Sequence, residues 1–319
     1  MIIRGFSLAA TACLVLLPAN YGVAMDAAVG YADSHAGELN RYSWVGSNVF
    51  RVRMCVSYNV AQKATTHSER VNFQNMLANA SAKGTEVMAT LMNDADAPTG
   101  PVPLTGQYDT AIADFLGAWP LSSYPQLPII GSWNEPNFSG KTMPTIAQAA
   151  GYYNKLHART SRTKVAGEWA GPSDSSTGRA NLAADINDYF YYLGANRPMP
   201  FGYHAWTDVR KMQWSGDYNA VQTKFFRDTI SGPTWGYAHL WNTETGAFLK
   251  FTSGGVTRTF TQAQQSDAVR FLHRCTTLST RITRHYHYCF YDGSSEDSGV
   301  VNSDSSPRTA YYTVRDRLM

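Results

Sequence analysis

Short apolar runs alternate with longer amphipathic stretches along most of this chain. The apolar runs predict strands because they have strand length and end at polar, glycine or proline residues; they cover residues 27–31, 48–56, 86–92, 127–135, 164–169, 200–206, 237–244 and 284–292. The stretches between them predict helices at residues 39–45, 68–83, 109–119, 145–160, 180–193, 218–228, 266–280 and 309–318.

This alternation predicts the fold class. Regular strand–helix alternation is typical of a parallel sheet covered by helices. Eight such units in a chain of this length fit a closed (β/α)8 TIM barrel of the α/β class. No linker rich in Pro, Gly or Ser divides the sequence, so we expect a single domain. No glycine-rich dinucleotide turn follows the first strand, which counts against a nucleotide-binding sheet.

The composition narrows the classes of ligand. Of the 319 residues only 16% are charged, the net charge is +3, and lysine and arginine form no cluster, so we expect no nucleic-acid partner. Aromatic residues make up 13% of the chain. This content suits stacking against a neutral, sugar-like ligand, although aromatic side chains also fill large cores.

The first residues have the features of an export signal. Arg4 gives a positive start, residues 6–17 are apolar, and residues 22–24 offer small side chains for cleavage. We therefore predict a secretory signal peptide at residues 1–24, a catalytic domain at residues 25–319, and a secreted or periplasmic location. No other stretch is long and apolar enough to span a membrane. We expect the mature protein to be a monomer.

Cysteine and histidine residues suggest structural roles only. Export permits disulfides, and the mature chain keeps Cys55, Cys275 and Cys289. We predict a bond between Cys275 and Cys289, which are near in sequence, and a buried thiol at Cys55. His285 and His287 share one face of a predicted strand, but no third ligand is evident, so we predict neither a metal nor another cofactor.

Polar and aromatic residues fall at the carboxyl ends of the predicted strands, which is the end where such barrels carry their active sites. These residues are Asn93, Asn134, Glu135, Glu168, Trp169, His204, Trp206, Glu244 and Tyr291.

Two of these strand ends have the same pattern. Residues 129–137 run from apolar to Trp-Asn-Glu and are stopped by Pro136, while residues 238–246 run from apolar through Trp-Asn-Thr-Glu to a glycine. Two strand-end glutamates, Glu135 and Glu244, predict the paired carboxylate chemistry that cleaves glycosidic bonds. Glu168 also ends a strand and is a rival acid or a substrate-binding residue.

These two segments also resemble a known group of enzymes. Residues 133–137 resemble the Asn-Glu-Pro motif at the end of the fourth strand in clan A glycoside hydrolases, and residues 243–246 resemble their nucleophile segment at the end of the seventh strand. The pattern is most similar to glycoside hydrolase families 39 and 5. The resemblance covers nearly the whole mature chain.

The resemblance implies a retaining mechanism and a set of roles. Glu135 corresponds to the acid/base and Glu244 to the nucleophile. Asn134 matches the residue that hydrogen-bonds the 2-hydroxyl of the sugar. Arg51 matches the second-strand arginine that keeps the nucleophile ionised, and His204 matches the histidine of a sixth-strand His-x-Tyr pattern.

The chain departs from the family pattern at two aromatic positions. Trp206 stands where the tyrosine of the His-x-Tyr pattern is expected, which leaves the orientation of Glu244 in question. The usual eighth-strand tryptophan is absent, and Tyr288, Phe290 and Tyr291 are the alternatives. Four tryptophans are predicted to stack on sugar rings: Trp133, Trp169, Trp206 and Trp241.

The expected partner is therefore a polysaccharide or oligosaccharide with β-linked sugars. A non-catalytic carbohydrate-binding protein on the same scaffold is the alternative from another class, because it would keep the aromatic residues without needing both glutamates. A transglycosylase and an inverting hydrolase also stay open, since fold alone does not decide function.

Overall fold

The described part of the chain forms a closed parallel barrel surrounded by helices. The computed structural model describes residues 29–32, 51–138, 142–196, 200–231, 238–253, 255–289, 297–302, 304 and 306–318. The barrel strands are β1 (Val29–Ala32), β2 (Arg51–Ser57), β3 (Glu86–Met92), β4 (Ile129–Gly131), β5 (Thr163–Ala170), β6 (Phe201–His204), β7 (Leu240–Thr245) and β10 (Ile282–Tyr288). They close in the order β1-β10-β7-β6-β5-β4-β3-β2, which confirms the predicted (β/α)8 barrel.

Helices cover the outside of this barrel. They are α1 (Ser68–Lys83), α2 (Thr105–Ala118), α3 (Ile146–Arg159), α4 (Ser176–Leu193), α5 (Trp206–Ser215), α6 (Val221–Thr229), α7 (Gln262–Thr276) and α8 (Thr309–Leu318). Local sequence fixes several of their ends. Thr145 and Thr261 each form a capping box with the glutamine three residues later, and Gly84 ends α1 in the left-handed conformation.

The interior of the barrel changes from apolar to charged along its axis. Met88, Ile129, Val165, Trp241 and Tyr286 form a buried apolar floor towards the amino ends of the strands. Polar side chains lie above this floor, towards the carboxyl ends. The large apolar clusters lie between the barrel wall and the helices. The layering leaves the carboxyl-terminal mouth as the polar end of the barrel.

Two elements add to the carboxyl-terminal end beyond the simple barrel. The predicted strand at residues 200–206 ends at His204, and α5 begins at Trp206 where the sequence pattern predicted no helix. An antiparallel hairpin of β8 (Lys250–Ser253) and β9 (Val256–Thr259) follows β7. Gln213 of α5 fixes the start of this hairpin through two hydrogen bonds with the backbone of Phe248, at 2.8 and 2.9 Å.

The predicted disulfide does not form. Cys275 lies buried near the carboxyl end of α7, whereas Cys289 lies buried just beyond the carboxyl end of β10. A helix of this barrel runs antiparallel to the strand that follows it, so the two thiols lie at opposite ends of the barrel, separated by a strand of about 3.3 Å per residue. Cys55 is half-buried in β2.

The predicted signal peptide at residues 1–24 and the predicted helix at residues 39–45 lie outside the described residues. None of the helices within the described ranges is long and apolar enough to cross a bilayer.

Candidate active site

One guanidinium group organises the polar mouth of the barrel. Arg53 of β2 donates three hydrogen bonds: from Nε to Glu168 Oε2 at 2.5 Å, from Nη1 to Glu244 Oε2 at 2.8 Å, and from Nη2 to Asn134 Oδ1 at 2.7 Å. Its side chain is 2% exposed. Burial alone would lower the pKa of Arg53, but Cys55, Glu168 and Glu244 outweigh it and raise the pKa above its ordinary value. Arg53 is therefore a fixed cation shared by three strands.

The predicted contact between Arg51 and Glu244 is wrong, because Arg53 makes that contact instead. Arg51 lies at the amino end of β2, where its Nε is 3.6 Å from Glu86 and where Arg284 also pairs with Glu86. Residues two apart in a strand point to the same side. The alternation of the strand therefore places Arg51 and Arg53 on the same face. Only Arg53, which is nearer the carboxyl end of β2, reaches the mouth of the barrel.

Glu135 lies at the mouth in an unusual backbone conformation. Its φ is 48°, in the left-handed region that non-glycine residues rarely adopt and that clusters at functional sites. The conformation is held by a hydrogen bond from Glu135 N to Glu168 O at 2.9 Å. The side chain is 10% exposed, and Oε1 lies 2.9 Å from Nδ1 of His204. This contact fixes the position of the Glu135 carboxyl group.

Glu244 lies opposite, near the end of β7. Its side chain is 17% exposed and accepts from Arg53. The ladder pairs Glu244 with His204, whose ring contacts Glu135. His204 and Arg53 thus connect the two glutamates into one site. Asn134 completes it, since it precedes Glu135 and its Oδ1 is held by Arg53, which leaves its amide group available for another partner.

Glu168 does not lie where a substrate could contact it. Its side chain is 0% exposed, and it is ion-paired with Arg53 inside the barrel. The predictions of a rival acid and of a substrate-binding residue are therefore both wrong for Glu168, because burial removes it from the cleft.

Three of the four tryptophans predicted to stack on sugars are buried elsewhere. Trp133 packs against Tyr108 and Tyr152 outside the barrel wall, and Trp169 packs against Tyr189 in the same layer. Neighbouring residues of a strand point to opposite sides of the sheet. Because Asn134 and Glu168 face the interior of the barrel, the adjacent Trp133 and Trp169 face the helices. Trp241 belongs to the apolar floor of the barrel.

Trp206 is the one of the four that lies at the rim. It is half-buried, directly after the buried His204–Ala205 pair. Its ring lies 5.5 Å from that of Phe248 and 5.5 Å from that of Tyr288 in an edge-on arrangement. Tyr288, one of the three alternatives to the missing eighth-strand tryptophan, ends β10 and is also half-buried. Trp206 and Tyr288 therefore form a half-buried aromatic pair at the carboxyl-terminal rim of the barrel.

The remaining predicted residues have other positions. Asn93 donates to the carbonyl groups of Pro98 and Gly100, so it folds the loop after β3 instead of facing the cleft. Tyr291 lies outside the described residues. The amide of Asn137, part of a glycosylation sequon, both donates to and accepts from the backbone of Ala170. That pairing ties the loop carrying Glu135 to β5.

A buried lysine joins the loops after β2 and β3. Lys63 Nζ lies 2.7 Å from Glu69, 2.7 Å from Asp94 and 2.8 Å from Asp96. Burial would lower the pKa of Lys63, but hydrogen bonds to Asp94, Asp96 and Glu69 raise it above its ordinary value. Lys63 stays charged and links the loop after β2 to the loop after β3.

The two histidines of β10 face outwards, away from the glutamates. The ring of His285 lies 6.0 Å from that of His273 in α7 and 6.3 Å from that of His287. Within the described ranges, no group of three or more His, Cys, Asp or Glu side chains is arranged to hold a metal ion.

Sequence reasoning missed residues that complete the site. The position of Arg53 nearer the carboxyl end of its strand was the signal that could have identified it. Tyr288 was named only as an alternative. Register shifts in β5 and β7 turn Glu168 and Glu244 inwards. A prediction that assumes strict alternation of strand residues cannot detect such shifts.

Comparisons with known proteins match the fold and not the sequence. No protein-family model matches the chain, and no curated protein sequence matches it. A GH128 subgroup I endo-β-1,3-glucanase from Amycolatopsis mediterranei, solved with laminaritriose, has 16% identity and a TM-score of 0.53, covering 91% of this chain and 99% of that chain.

Two further solved structures match an equal share of the chain. A GH128 subgroup II endo-β-1,3-glucanase from Sorangium cellulosum has 12% identity and a TM-score of 0.56, covering 91% of this chain and 98% of that chain. A GH30 endoxylanase from Clostridium papyrosolvens C71 has 14% identity and a TM-score of 0.56, covering 91% of this chain and 70% of that chain. At these identities the likeness establishes the barrel fold alone.

Proposed function

We propose that this protein is a retaining glycoside hydrolase of the clan A type that cleaves β-linked glycans, with Glu135 as acid/base and Glu244 as nucleophile. The observation that carries the proposal is the placement of Glu135 and Glu244 at one mouth of the barrel, connected by His204 and Arg53. A binding protein would need the aromatic rim but not two carboxylates held by separate partners.

In the first step, protonated Glu135 gives its proton to the glycosidic oxygen while Glu244 attacks the anomeric carbon. The carbon–oxygen bond to the leaving sugar breaks, the leaving sugar departs as an alcohol, and an ester forms between Glu244 and the retained sugar. Arg53 keeps Glu244 anionic and fixes the direction of its carboxylate until the attack.

In the second step, the Glu135 carboxylate takes a proton from a water molecule whose oxygen attacks the same anomeric carbon. The ester bond breaks, Glu244 recovers its negative charge, and the sugar leaves with its original configuration. The contact between Nδ1 of His204 and Oε1 of Glu135 holds this carboxyl in one position for both steps.

The substrate class is supported by the rim and by the fold neighbours. Trp206 and Tyr288 offer half-buried rings to the apolar faces of sugars, while Asn134 offers an amide to a hydroxyl group. Two of the neighbours are endo-β-1,3-glucanases that this chain matches over nearly their full length. We propose β-1,3-glucan as the first substrate to test, with xylan as the second. The predicted leader at residues 1–24 supports action outside the cytoplasm.

A glycan panel tests the activity. The mature protein is incubated with labelled β-1,3-glucan, mixed-linkage glucan, cellulose, xylan and an α-glucan, and the soluble products are sized. We expect oligosaccharides from at least one β-glycan and none from the α-glucan. Binding without product, or product from the α-glucan alone, would overturn the proposal.

Proton NMR of the first-formed product tests the mechanism. Retention gives the β-anomer before mutarotation, whereas the α-anomer would show inversion. In a retaining site the two carboxyl groups lie about 5–5.5 Å apart, so no water fits beneath the sugar. The variants Glu135→Gln and Glu244→Gln should each lose turnover of the natural glycan.

A further inference from the structure

Glu168 is a buried carboxylate that the two-step mechanism does not use. It lies in β5, two positions below the level of His204 in the ladder, since Ala170 pairs with His204. A register shift at Gly167, whose φ of 30° few other residues tolerate, turns the side chain into the barrel. Among the described residues, its ion-pair partner is Arg53, at 2.5 Å.

The neighbouring strands leave space for this carboxylate. A Cβ atom at Gly131 of β4 would lie 2.1 Å from Oε1 of Glu168, and one at Gly202 of β6 would lie 2.7 Å from its Cγ. Both glycines have ordinary φ values, so the requirement is for space and not for backbone freedom. Strands on both sides of β5 are therefore adapted to a carboxylate at this position.

The charges around Arg53 are unequal. Arg53 carries one positive charge and contacts two carboxylates, Glu168 and Glu244, together with the neutral Asn134. A buried carboxylate is stable only when it is paired. Glu168 has a second oxygen, Oε1, that is buried without a hydrogen-bond partner in the described part of the chain. It therefore depends on Arg53 and in return offsets much of the positive charge that Glu244 experiences.

We propose that Glu168 is a positioning residue for the reaction: it fixes the plane of Arg53 against Glu244 and limits how strongly Arg53 stabilises the anionic nucleophile. This inference rests on the proposed function, because it assigns Glu244 as the attacking group. Glu168 itself touches neither substrate nor reacting atoms. Arg53 stabilises ionised Glu244, and the charge of Glu168 keeps that stabilisation from making Glu244 a weak nucleophile.

The variant Glu168→Gln isolates the charge. The amide has the same shape, its oxygen can still accept from Arg53, and its NH2 group would lie towards the hydroxyl of Thr90, which borders the same space beside Gly131. Without the negative charge, Arg53 acts on Glu244 alone and favours its ionised form. The acid limb of the kcat/KM profile should then move to lower pH, and the plateau should fall about tenfold.

Two further variants serve as controls. Glu168→Asp keeps the charge but shortens the side chain by one methylene, so it should lower kcat while leaving the acid limb within a few tenths of a pH unit of the unmodified protein. Glu86→Gln removes a carboxylate that pairs with Arg51 and Arg284 at the other end of the barrel, and should leave both the limb and the plateau unchanged.

The pH profile separates positioning from a purely structural role. If Glu168→Gln loses activity in proportion to lost folded protein, or raises KM with the acid limb unmoved, the proposal for Glu168 is overturned while the proposed function stands. If the unmodified protein turns over no glycan, carbon-13 NMR of labelled glutamate carboxyls, assigned with Glu244→Gln, gives the reading. The Glu244 carboxyl should titrate at lower pH in Glu168→Gln, and an unchanged titration would overturn the coupling.

Discussion

At the scale of single residues, the geometry of Arg53 matters more than its charge alone. Its planar group directs N–H bonds to Glu168, Glu244 and Asn134, which belong to three different strands or strand ends. A lysine at this position would carry the same charge on one nitrogen at the end of a flexible stem. The three N–H bonds of an ammonium group diverge from one atom, so they do not match the planar directions in which Arg53 meets its acceptors.

We therefore predict that Arg53→Lys impairs catalysis although the charge is conserved. Loss of one charge-assisted hydrogen bond, worth about 1.5–3 kcal/mol, should lower kcat/KM roughly tenfold to a hundredfold. Arg51→Lys is the matched control two residues away, and it should retain nearly full activity. The measurement is kcat/KM of both variants on a glycan that the unmodified protein cleaves in the panel. Equal losses of kcat/KM in the two variants would contradict the assignment to Arg53.

At the scale of elements, the packing of β10 against α7 buries uncharged histidines. Burial lowers the pKa of His285 to about 4, and burial together with the neighbouring His285 lowers the pKa of His287 to about 3. Histidine in an unfolded chain titrates near 6.5. Between these values the unfolded state binds protons that the folded state does not, so stability rises with pH and is lost as the pH falls below about 6.5.

This linkage predicts acid sensitivity at the β10–α7 contact. Between about pH 6 and pH 4.5 each buried histidine should lower the free energy of unfolding by up to about 1.4 kcal/mol per pH unit. The free energy of unfolding is measured by urea unfolding at a series of pH values. In His285→Phe its slope against pH should be smaller by up to about 1.4 kcal/mol per pH unit. His239→Phe, at an exposed imidazole, is the control and should leave the slope unchanged. Equal slopes in all three proteins would contradict the prediction.

Irregular strands aim the carboxylates. In β5 the register shifts between Ala166 and Glu168, and in the pairing of β6 with β7 it shifts between Tyr203 and His204, so that Thr243 is the extra residue. Such bulges re-aim side chains and are common beside active sites. They explain how Trp241 and Glu244, three positions apart, both face the interior, one on the floor and the other at the mouth.

At the scale of the whole molecule, β1 closes the barrel. It pairs with β10 over Val29 to Ala32 and with β2 at Tyr31 and Ala32. Without it, β2 and β10 would become exposed edges with unpaired backbone groups. The amino-terminal strand therefore connects the first and last parts of the chain.

A protein that begins at Asp33 should consequently fail to fold, whereas one that begins at Met25 should fold normally. We expect the shorter protein to be insoluble or to lack a cooperative thermal transition by circular dichroism, because a parallel barrel gains most of its contacts from long-range pairing. Similar melting temperatures for the two proteins would show that β1 is dispensable.

The sequence predicted the architecture well and the site in part. The alternation of apolar runs with amphipathic stretches was sufficient to predict the closed barrel, because its strands are short, buried and regularly spaced. Glu135, Glu244, Asn134 and His204 were found from their places at strand ends, and the structure brings them together.

The rest depended on depth and direction within the barrel. The sequence shows that Arg51 and Arg53 share a face, but not which layer each occupies. Trp133 and Trp169 lie at strand ends, which is why the sequence predicts that they bind sugars. They face the helices because their neighbours Asn134 and Glu168 face the interior of the barrel. The helix α5 escaped prediction because its first residue follows a strand without a turn signal, and its packing against the β8–β9 hairpin is a tertiary effect.

The central claim is that Glu244 attacks the sugar, and a covalent trap tests it most directly. The mature protein is treated with an activated 2-deoxy-2-fluoro β-glycoside matched to its substrate, which slows release of the glycosyl-enzyme, and the labelled peptide is sequenced by mass spectrometry. We predict one sugar per protein, bound as an ester to Glu244 and absent from Glu244→Gln. A label on Glu135 or Glu168, or no label on an enzyme that releases the inverted anomer, would contradict the account.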